Sequence, residues 1–256
     1  MAGIGRINCY GKLYAPEGWP LGEYRGVNRL YYIHGGTGGY EINGQRTYFH
    51  SGWMYFIPCS VDFLLFTDKT DPILHTFADF ELFHPFNSPD VLSLACGNAL
   101  FEAAKSLFLC GAEYLGENHM SISEFQHQTN LFQMCTGAML YLSEYIAAQN
   151  QLYAVTDPVI VSVMEYMSQN LDGQISIKEL AKEHFLTTDG LIRRFRHAVG
   201  TTPYAYLKNL RISTAFTLLR DGKSLKETAA LVGYSDSAAL LHAMKPTSMK
   251  PSSLNL

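Results

Sequence analysis

Long apolar runs are missing from this chain. None reaches the roughly 18 consecutive residues that suggest a membrane span, and residues 1–19, MAGIGRINCYGKLYAPEGW, lack the apolar core of a secretory signal. The expectation is a cytoplasmic protein with no membrane segment. No His-x-His pair occurs, and His34, His50, His75 and His84 stand singly, whereas a metal needs several converging ligands. The five cysteines, Cys9, Cys59, Cys96, Cys110 and Cys135, are odd in number and lack metal-like pairs, so they read as reduced thiols. Gly35–Gly39 has no following helix and lysine to make a phosphate loop. No G-x-S-x-G elbow appears either. A catalytic constellation, a metal and a cofactor are therefore not expected.

Charge is also sparse, at 16% of residues, and the net value of −4 taken alone argues against nucleic acid. Its distribution argues otherwise. Residues 1–95 hold six basic against nine acidic side chains, residues 96–156 one against five, and residues 157–256 twelve against nine. The positive excess lies in one C-terminal segment, where docking on phosphates would need it.

That segment contains Ile175–Pro203, ISIKELAKEHFLTTDGLIRRFRHAVGTTP. Ser176 and Glu179 have the spacing of a capping box, with Ile175 and Leu180 placed as a hydrophobic staple. A first helix should end near His184. Thr187 then caps a second, whose apolar residues Leu191, Phe195, Ala198 and Val199 share one face. Gly200 suits a helix C-terminus, and Thr202-Pro203 starts another helix. This is the pattern of a helix-turn-helix. A second copy follows: Ser224 and Glu227 repeat the capping box, Ala229 matches Ala181, and Gly233-Tyr234-Ser235 makes a turn in which Ser235 caps a last helix bearing Leu240 and Met244. Two recognition helices on a shared connecting helix could enter successive major grooves about 34 Å apart.

The run LAKEHFLTTDGLIRRFRHAVGTTPYAYLKNLRISTAFTLL, continued by SLKETAALVGYSDSAALLHAMK, resembles the DNA-binding domain of AraC/XylS-family transcriptional regulators. By the resemblance, Thr188, Asp189, Ile192, Arg193 and Arg196 are DNA-facing residues of the first recognition helix. Ser237, Ala238, Leu241, His242 and Lys245 take that place in the second. The second unit departs from the family: Ala238-Ala239-Leu240 replaces an aromatic-rich run, His242 replaces an arginine, and Pro246 forces an early stop.

From Arg29 to Phe83 the pattern is one of short strands, Leu30–Ile33, Tyr40–Ile42, Gln45–Phe49, Trp53–Ile57, Phe63–Phe66 and Ile73–Phe80. Asn43-Gly44 signals a type I′ hairpin between the second and third of these. Such spacing suggests a barrel or jelly roll, and the run from Gly36 to Phe66 resembles the cupin-like sensor domain of many family members. A small barrel can hold one ligand in its mouth. Tyr31, Tyr40, Trp53, Tyr55, His75 and Phe77 are the candidates to stack on and hydrogen-bond a polar ring, such as a sugar.

Residues 92–151 read as helical: Ala99–Cys110, then a long run over 122–148. Its face of Phe125, Leu131, Phe132, Cys135, Met139, Leu142, Tyr145 and Ile146 must be buried, against the barrel or against a second subunit. Gln149–Thr156 reads as a linker, and Asp157-Pro158 as the cap and first residue of a helix over Val159–Met167.

The expected fold is α+β in two domains. Residues 1–95 form a cupin-like β-barrel that senses an effector, 96–152 a helical region that links and dimerises, and 157–256 an all-α tandem helix-turn-helix. The expected function is a homodimeric DNA-binding regulator of transcription whose small-molecule effector, a sugar or sugar derivative, shifts the population of its arrangements. Two alternatives stay open: a family member whose second unit has lost DNA affinity, and a cupin enzyme with a helical appendage.

Overall fold

The computed structural model of the chain describes residues 4–15, 27–82, 84, 86–154, 157–220 and 222–244. Their strands are β1 (Ile4–Tyr14), β2 (Asn28–Gly35), β3 (Gly38–Ile42), β4 (Gln45–Tyr48), β5 (Met54–Ile57), β6 (Leu64–Thr67), β7 (Leu74–Leu82) and β8 (Leu92–Leu94). They form two antiparallel sheets, β1-β7-β2-β5-β8 and β4-β3-β6. Of the barrel or jelly roll expected from strand spacing, the described strands form two sheets and not one closed barrel, since spacing counts strands without fixing which of them pair. The short β4 is exposed along its whole length and serves as a polar edge of the smaller sheet.

The turns follow their residue types. Asn43 and Gly44 both have positive φ, 52° and 80°, the type I′ requirement, and the hairpin of β3 and β4 forms as expected. Gly39 is fixed by close approach, since a Cβ there would lie 1.9 Å from the Thr47 carbonyl oxygen.

Two strands are additions to the sequence reading. β1 lies along β7 in a long ladder with bulges, and its mixed composition gives little alternation to detect. Leu92–Leu94, expected within a helical stretch, instead pairs with β5, because Leu92 fills the same apolar core as Phe56.

The larger sheet is covered on both faces. Tyr31, Ile33, Tyr55 and Ile57 point toward the smaller sheet and join Leu65, Phe49 and Ile73 in one core. Their alternates Leu30, Met54, Phe56, Ala78 and Phe80 point the other way. That second face packs on α1 (Ala99–Glu117), α2 (Ile122–His127) and α3 (Thr129–Gln149). The run expected as one helix is thus two. Gln128 leaves helical geometry at ψ 64° and redirects the chain, while Ser121 and Glu124 close a full capping box on α2. Cys135, Met139, Leu142 and Ile146 are all 0% exposed within the single chain, so this apolar face is covered by the chain's own sheet and α1.

The remaining helices are α4 (Pro158–Gln169), α5 (Ile177–Glu183), α6 (Thr188–Val199), α7 (Pro203–Arg220), α8 (Leu225–Leu231) and α9 (Ser237–Met244). α4 begins as expected, with Asp157 as cap and Pro158 at its first turn. Among the described residues no helix is long and apolar enough to cross a membrane.

The helical region docks on the larger sheet through polar contacts. Arg6 Nη1 donates to Thr214 Oγ1 on α7 at 2.9 Å, and Asn8 Nδ2 donates to Ser213 Oγ. Thr217 Oγ1 donates to the Asn8 carbonyl, and Ser168 Oγ on α4 donates to Glu81 Oε2 at 2.8 Å. Cys59, from the loop after β5, packs into the core of α4–α7, where burial pushes its thiol up to about 12.

Candidate nucleic-acid interface

α5 and α6 are built as their residues dictate. The Ser176 hydroxyl accepts from the Glu179 N–H at 3.3 Å, the serine half of the expected box. Thr187 Oγ1 accepts from the Gly190 N–H at 3.0 Å. Each such cap stabilises its helix by about 1 kcal/mol. Leu191, Phe195 and Val199 are 0% exposed and pack with Leu180, Ala181, Met164 and Leu210. Gly200 closes α6 in the left-handed region at φ 79°, and a Cβ there would press within 2.8 Å of Asn87 and Ser60.

Burying one face of α6 fixes what the other presents. Asp189, Arg193, Arg196 and His197 are exposed. Thr188 is half-buried, and Ile192, expected on the outer face, is half-buried and packs on the domain core beside Leu191. At 3.6 residues per turn it sits on the flank of the stripe. The helix is held at two points, one in its middle and one in its last turn. Arg194 Nε donates to Asp157 Oδ2 at 2.6 Å and Nη2 donates to Oδ1 at 2.9 Å. Asn87 Nδ2, from the sheet domain, donates to the His197 carbonyl at 2.9 Å. Burial pushes the Asp157 carboxyl up, but the Arg194 guanidinium and the N–H groups of Ile160 and Val159 outweigh it and hold the pKa below the ordinary value. Arg194 is therefore an anchor, whereas Arg193 and Arg196 face outward.

The second helical pair repeats the design at smaller scale. Ser224 and Glu227 close a reciprocal capping box on α8, Ala229 is 1% exposed like Ala181, and Leu240 is as fully buried as its counterpart Leu191. The cap of α9 is Asp236 rather than the expected Ser235. Asp236 Oδ1 accepts from the Ala239 N–H at 2.8 Å, and the Ser235 hydroxyl donates to its carboxylate. Ala238, Leu241 and His242 are exposed, while Ser237 is half-buried. Lys245 and Pro246 lie outside the described residues. The two pairs are braced by Arg211 on α7, whose guanidinium donates to the Leu171 and Gly173 carbonyls and lies over the Tyr234 ring.

The candidate effector residues converge on one side of the larger sheet. Phe77, Tyr31 and Tyr55 are cross-strand partners in a single row, and His75 stacks edge-on to Tyr31 with centroids 5.2 Å apart. Tyr31, Tyr55 and His75 are buried, and Trp53, Phe77 and Tyr40 pack on the same core. The Tyr55 hydroxyl accepts from the His50 N–H at 2.7 Å. Burial, with His34 beside it, pushes the His75 imidazole down to about 4. Tyr40 also borders a cleft of about 320 Å³ with Asn43, Gln45, Thr47 and Asp90. Among the described residues no group of three or more His, Cys, Asp or Glu converges as a metal site.

Sequence reasoning missed the roles of Arg194, Asn87 and Asp236. An Asp at a helix start is a visible capping signal, but an asparagine reaching a main-chain carbonyl 110 positions away leaves none.

Residues 180–253 match a family model described as a helix-turn-helix domain. The chain is 31% identical over 100 residues to a protein of Streptomyces antibioticus named as an AraC-like transcription regulator, covering 39% of this chain and 33% of that one. It is 30% identical over 95 residues to LumQ of Photobacterium leiognathi, named as a transcriptional regulator, covering 34% and 38%. The chain thus spans little more than a third of these relatives' length. In overall fold it is similar to ToxT of Vibrio cholerae, with a TM-score of 0.57 over 96% of this chain and 92% of that one at 11% identity. A second ToxT structure, bound to an unsaturated fatty acid, gives 0.59 over 96% and 90% at 12% identity. With α5 and α6 forming the paired helices, the chain carries a helix-turn-helix domain over the segment that matches the family model and is similar to AraC-like transcription regulators.

Proposed function

We propose that this chain regulates transcription by binding a specific DNA sequence, and that a small molecule taken up by the N-terminal domain changes that binding. The observation that carries the reading is α6: its apolar face is locked in the core while Asp189, Arg193 and Arg196 stand exposed on a helix tied down at Asp157 and Asn87. A helix so held can lie in a major groove without losing orientation. Arg193 then meets a guanine edge, Arg196 and the Thr188 end of the helix meet phosphates, and Asp189 accepts from a cytosine amine. Ile192 contributes an apolar edge beside them. In the second unit Ser237, Ala238, Leu241 and His242 offer small and apolar contacts, with Lys245 at the following position, so the first unit supplies most of the sequence reading.

For the effector, the cleft at Tyr40 combines an aromatic ring with Asn43, Gln45, Thr47 and Asp90, the mixture of stacking and hydrogen bonding that suits a carbohydrate. Tyr31, Tyr55, Phe77 and Trp53 share a core with Tyr40, with His75 against the Tyr31 ring, and supply the aromatic surroundings of this reading. Two copies binding adjacent half-sites complete the reading, in the cytoplasm where the DNA lies.

The test is selection of bound duplexes from a random pool across a salt series, with and without a carbohydrate panel. A recovered motif with half-sites at helical-turn spacing is expected, with affinity falling as salt rises. Recovery of no motif under any of these conditions would overturn the reading.

A further inference from the structure

α6 and α9 present different chemistry from matched positions. Around the buried Leu191 of α6, Asp189, Arg193 and Arg196 are exposed. In α9 Leu240 is the equally buried counterpart of Leu191, packed with Ala215, Ala229 and Val232. Counting from these two anchors, Asp189 corresponds to Ala238, Ile192 to Leu241 and Arg193 to His242. Ile192 is half-buried against the core of its unit, but Leu241 is 48% exposed. Ala238, Leu241 and His242 stand at i, i+3 and i+4, so they share one exposed face. None of the described residues of α9 is Arg, Lys, Asn or Gln, the side chains that grip guanine or adenine edges with two hydrogen bonds.

We infer that α9 reads thymine through its C5 methyl group, with Leu241 as the main contact and Ala238 beside it. This rests on the DNA-binding reading above and names the base that its second unit takes. Of the four bases only thymine shows a methyl group in the major groove. A guanine or adenine edge facing Leu241 would give up water and gain no partner, which costs binding. The thymine methyl and the leucine leave water together, which favours it. Three observations favour DNA as the occupant of this face. The matched helix-turn-helix segment, residues 180–253, runs through both pairs. Lys223 and Lys226 are exposed at the start of α8, and the first helix of such a pair crosses the phosphate backbone. Arg211 ties α7 to the Leu171 and Gly173 carbonyls and lies over Tyr234 in the turn before α9. The orientation of α9 is thereby fixed to the first pair.

The test uses the full chain and a duplex recovered from the random pool, titrated by fluorescence anisotropy. Each thymine is replaced singly by deoxyuridine, which removes the methyl, keeps every hydrogen-bonding group and leaves the protein unaltered. At one or more thymines uracil should weaken binding about fourfold, the lost burial of one methyl-sized group. Leu241→Ala should weaken binding to the thymine duplex by a similar factor and no longer distinguish thymine from uracil at those positions. Arg193→Ala, a change in the first unit, should keep the distinction. Uracil without effect at every thymine overturns the assignment and leaves the DNA reading standing. So does an effect that persists in Leu241→Ala, or one that vanishes in Arg193→Ala instead. Recovery of no duplex at all overturns the DNA reading itself, and this assignment with it.

Discussion

Arg194 and Asp157 are joined by two parallel hydrogen bonds, Nε to Oδ2 at 2.6 Å and Nη2 to Oδ1 at 2.9 Å. The same carboxylate caps α4 by accepting from the Val159 and Ile160 N–H groups. One side chain thus fixes the start of α4 and the middle of α6. Asp157→Asn keeps a competent cap and loses the charge, whereas Asp157→Ala loses both, so Ala should be less stable than Asn by about 1 kcal/mol in urea titrations. The Asp157 pKa lies below its ordinary 3.8. The pair's contribution is therefore full above that value and lost as pH falls through the lower, folded one. Arg194→Met should flatten that acid limb.

Arg193 and Arg194 are both exposed on α6, but Arg194 is tied to Asp157. Arg193→Ala should weaken operator binding by roughly 1–3 kcal/mol and relax one base position, without changing the thermal midpoint. Arg194→Ala should lower the midpoint and leave base preference intact. A binding titration on a set of single-base operator variants distinguishes the two.

Phe185, in the turn between α5 and α6, combines a φ of 57° with 98% exposure. A bulky side chain in the left-handed region costs about 1–2 kcal/mol, and this one buries almost nothing in return. The matching position in the second unit is Gly233, at φ 75°. Phe185→Gly should stabilise the domain by about 0.5–1 kcal/mol, the relief of strain exceeding the added chain entropy of glycine. A raised urea midpoint with unchanged slope would show it.

Glu81 is buried where the sheet meets α4. Burial raises its carboxyl above the ordinary value against the lowering influence of Arg6, Ser168 and Asn8. A carboxyl raised in the folded state binds more protons than in the unfolded chain, so stability declines as pH rises from 4.5 toward the folded value. Glu81→Gln retains an acceptor for Ser168 and removes the charge. Its urea midpoint should fall less than wild type's between pH 4.5 and 7.

The chain's local signals determined much of this molecule. Capping at Asp157, Ser176, Thr187 and Ser224, the positive φ of Gly200 and the Asn43-Gly44 hairpin are decided within a few residues, because a cap or tight turn is satisfied by its own neighbours. The buried stripe of Leu191, Phe195, Ala198 and Val199, and with it the exposed Arg193 and Arg196, follows from helical periodicity alone. Tertiary structure decided what depends on distant partners. Whether eight strands close into a barrel or divide into two sheets depends on pairing, which strand composition does not encode. Whether the face of Cys135, Met139 and Leu142 meets its own sheet or another subunit depends on what surface is available. The anchoring of α6 by Asn87, the contact of Arg6 with Thr214, and the bond of buried Glu81 to Ser168 join residues 87 to 208 positions apart. No local pattern records such contacts, since each is a property of two surfaces that exist only after both have folded.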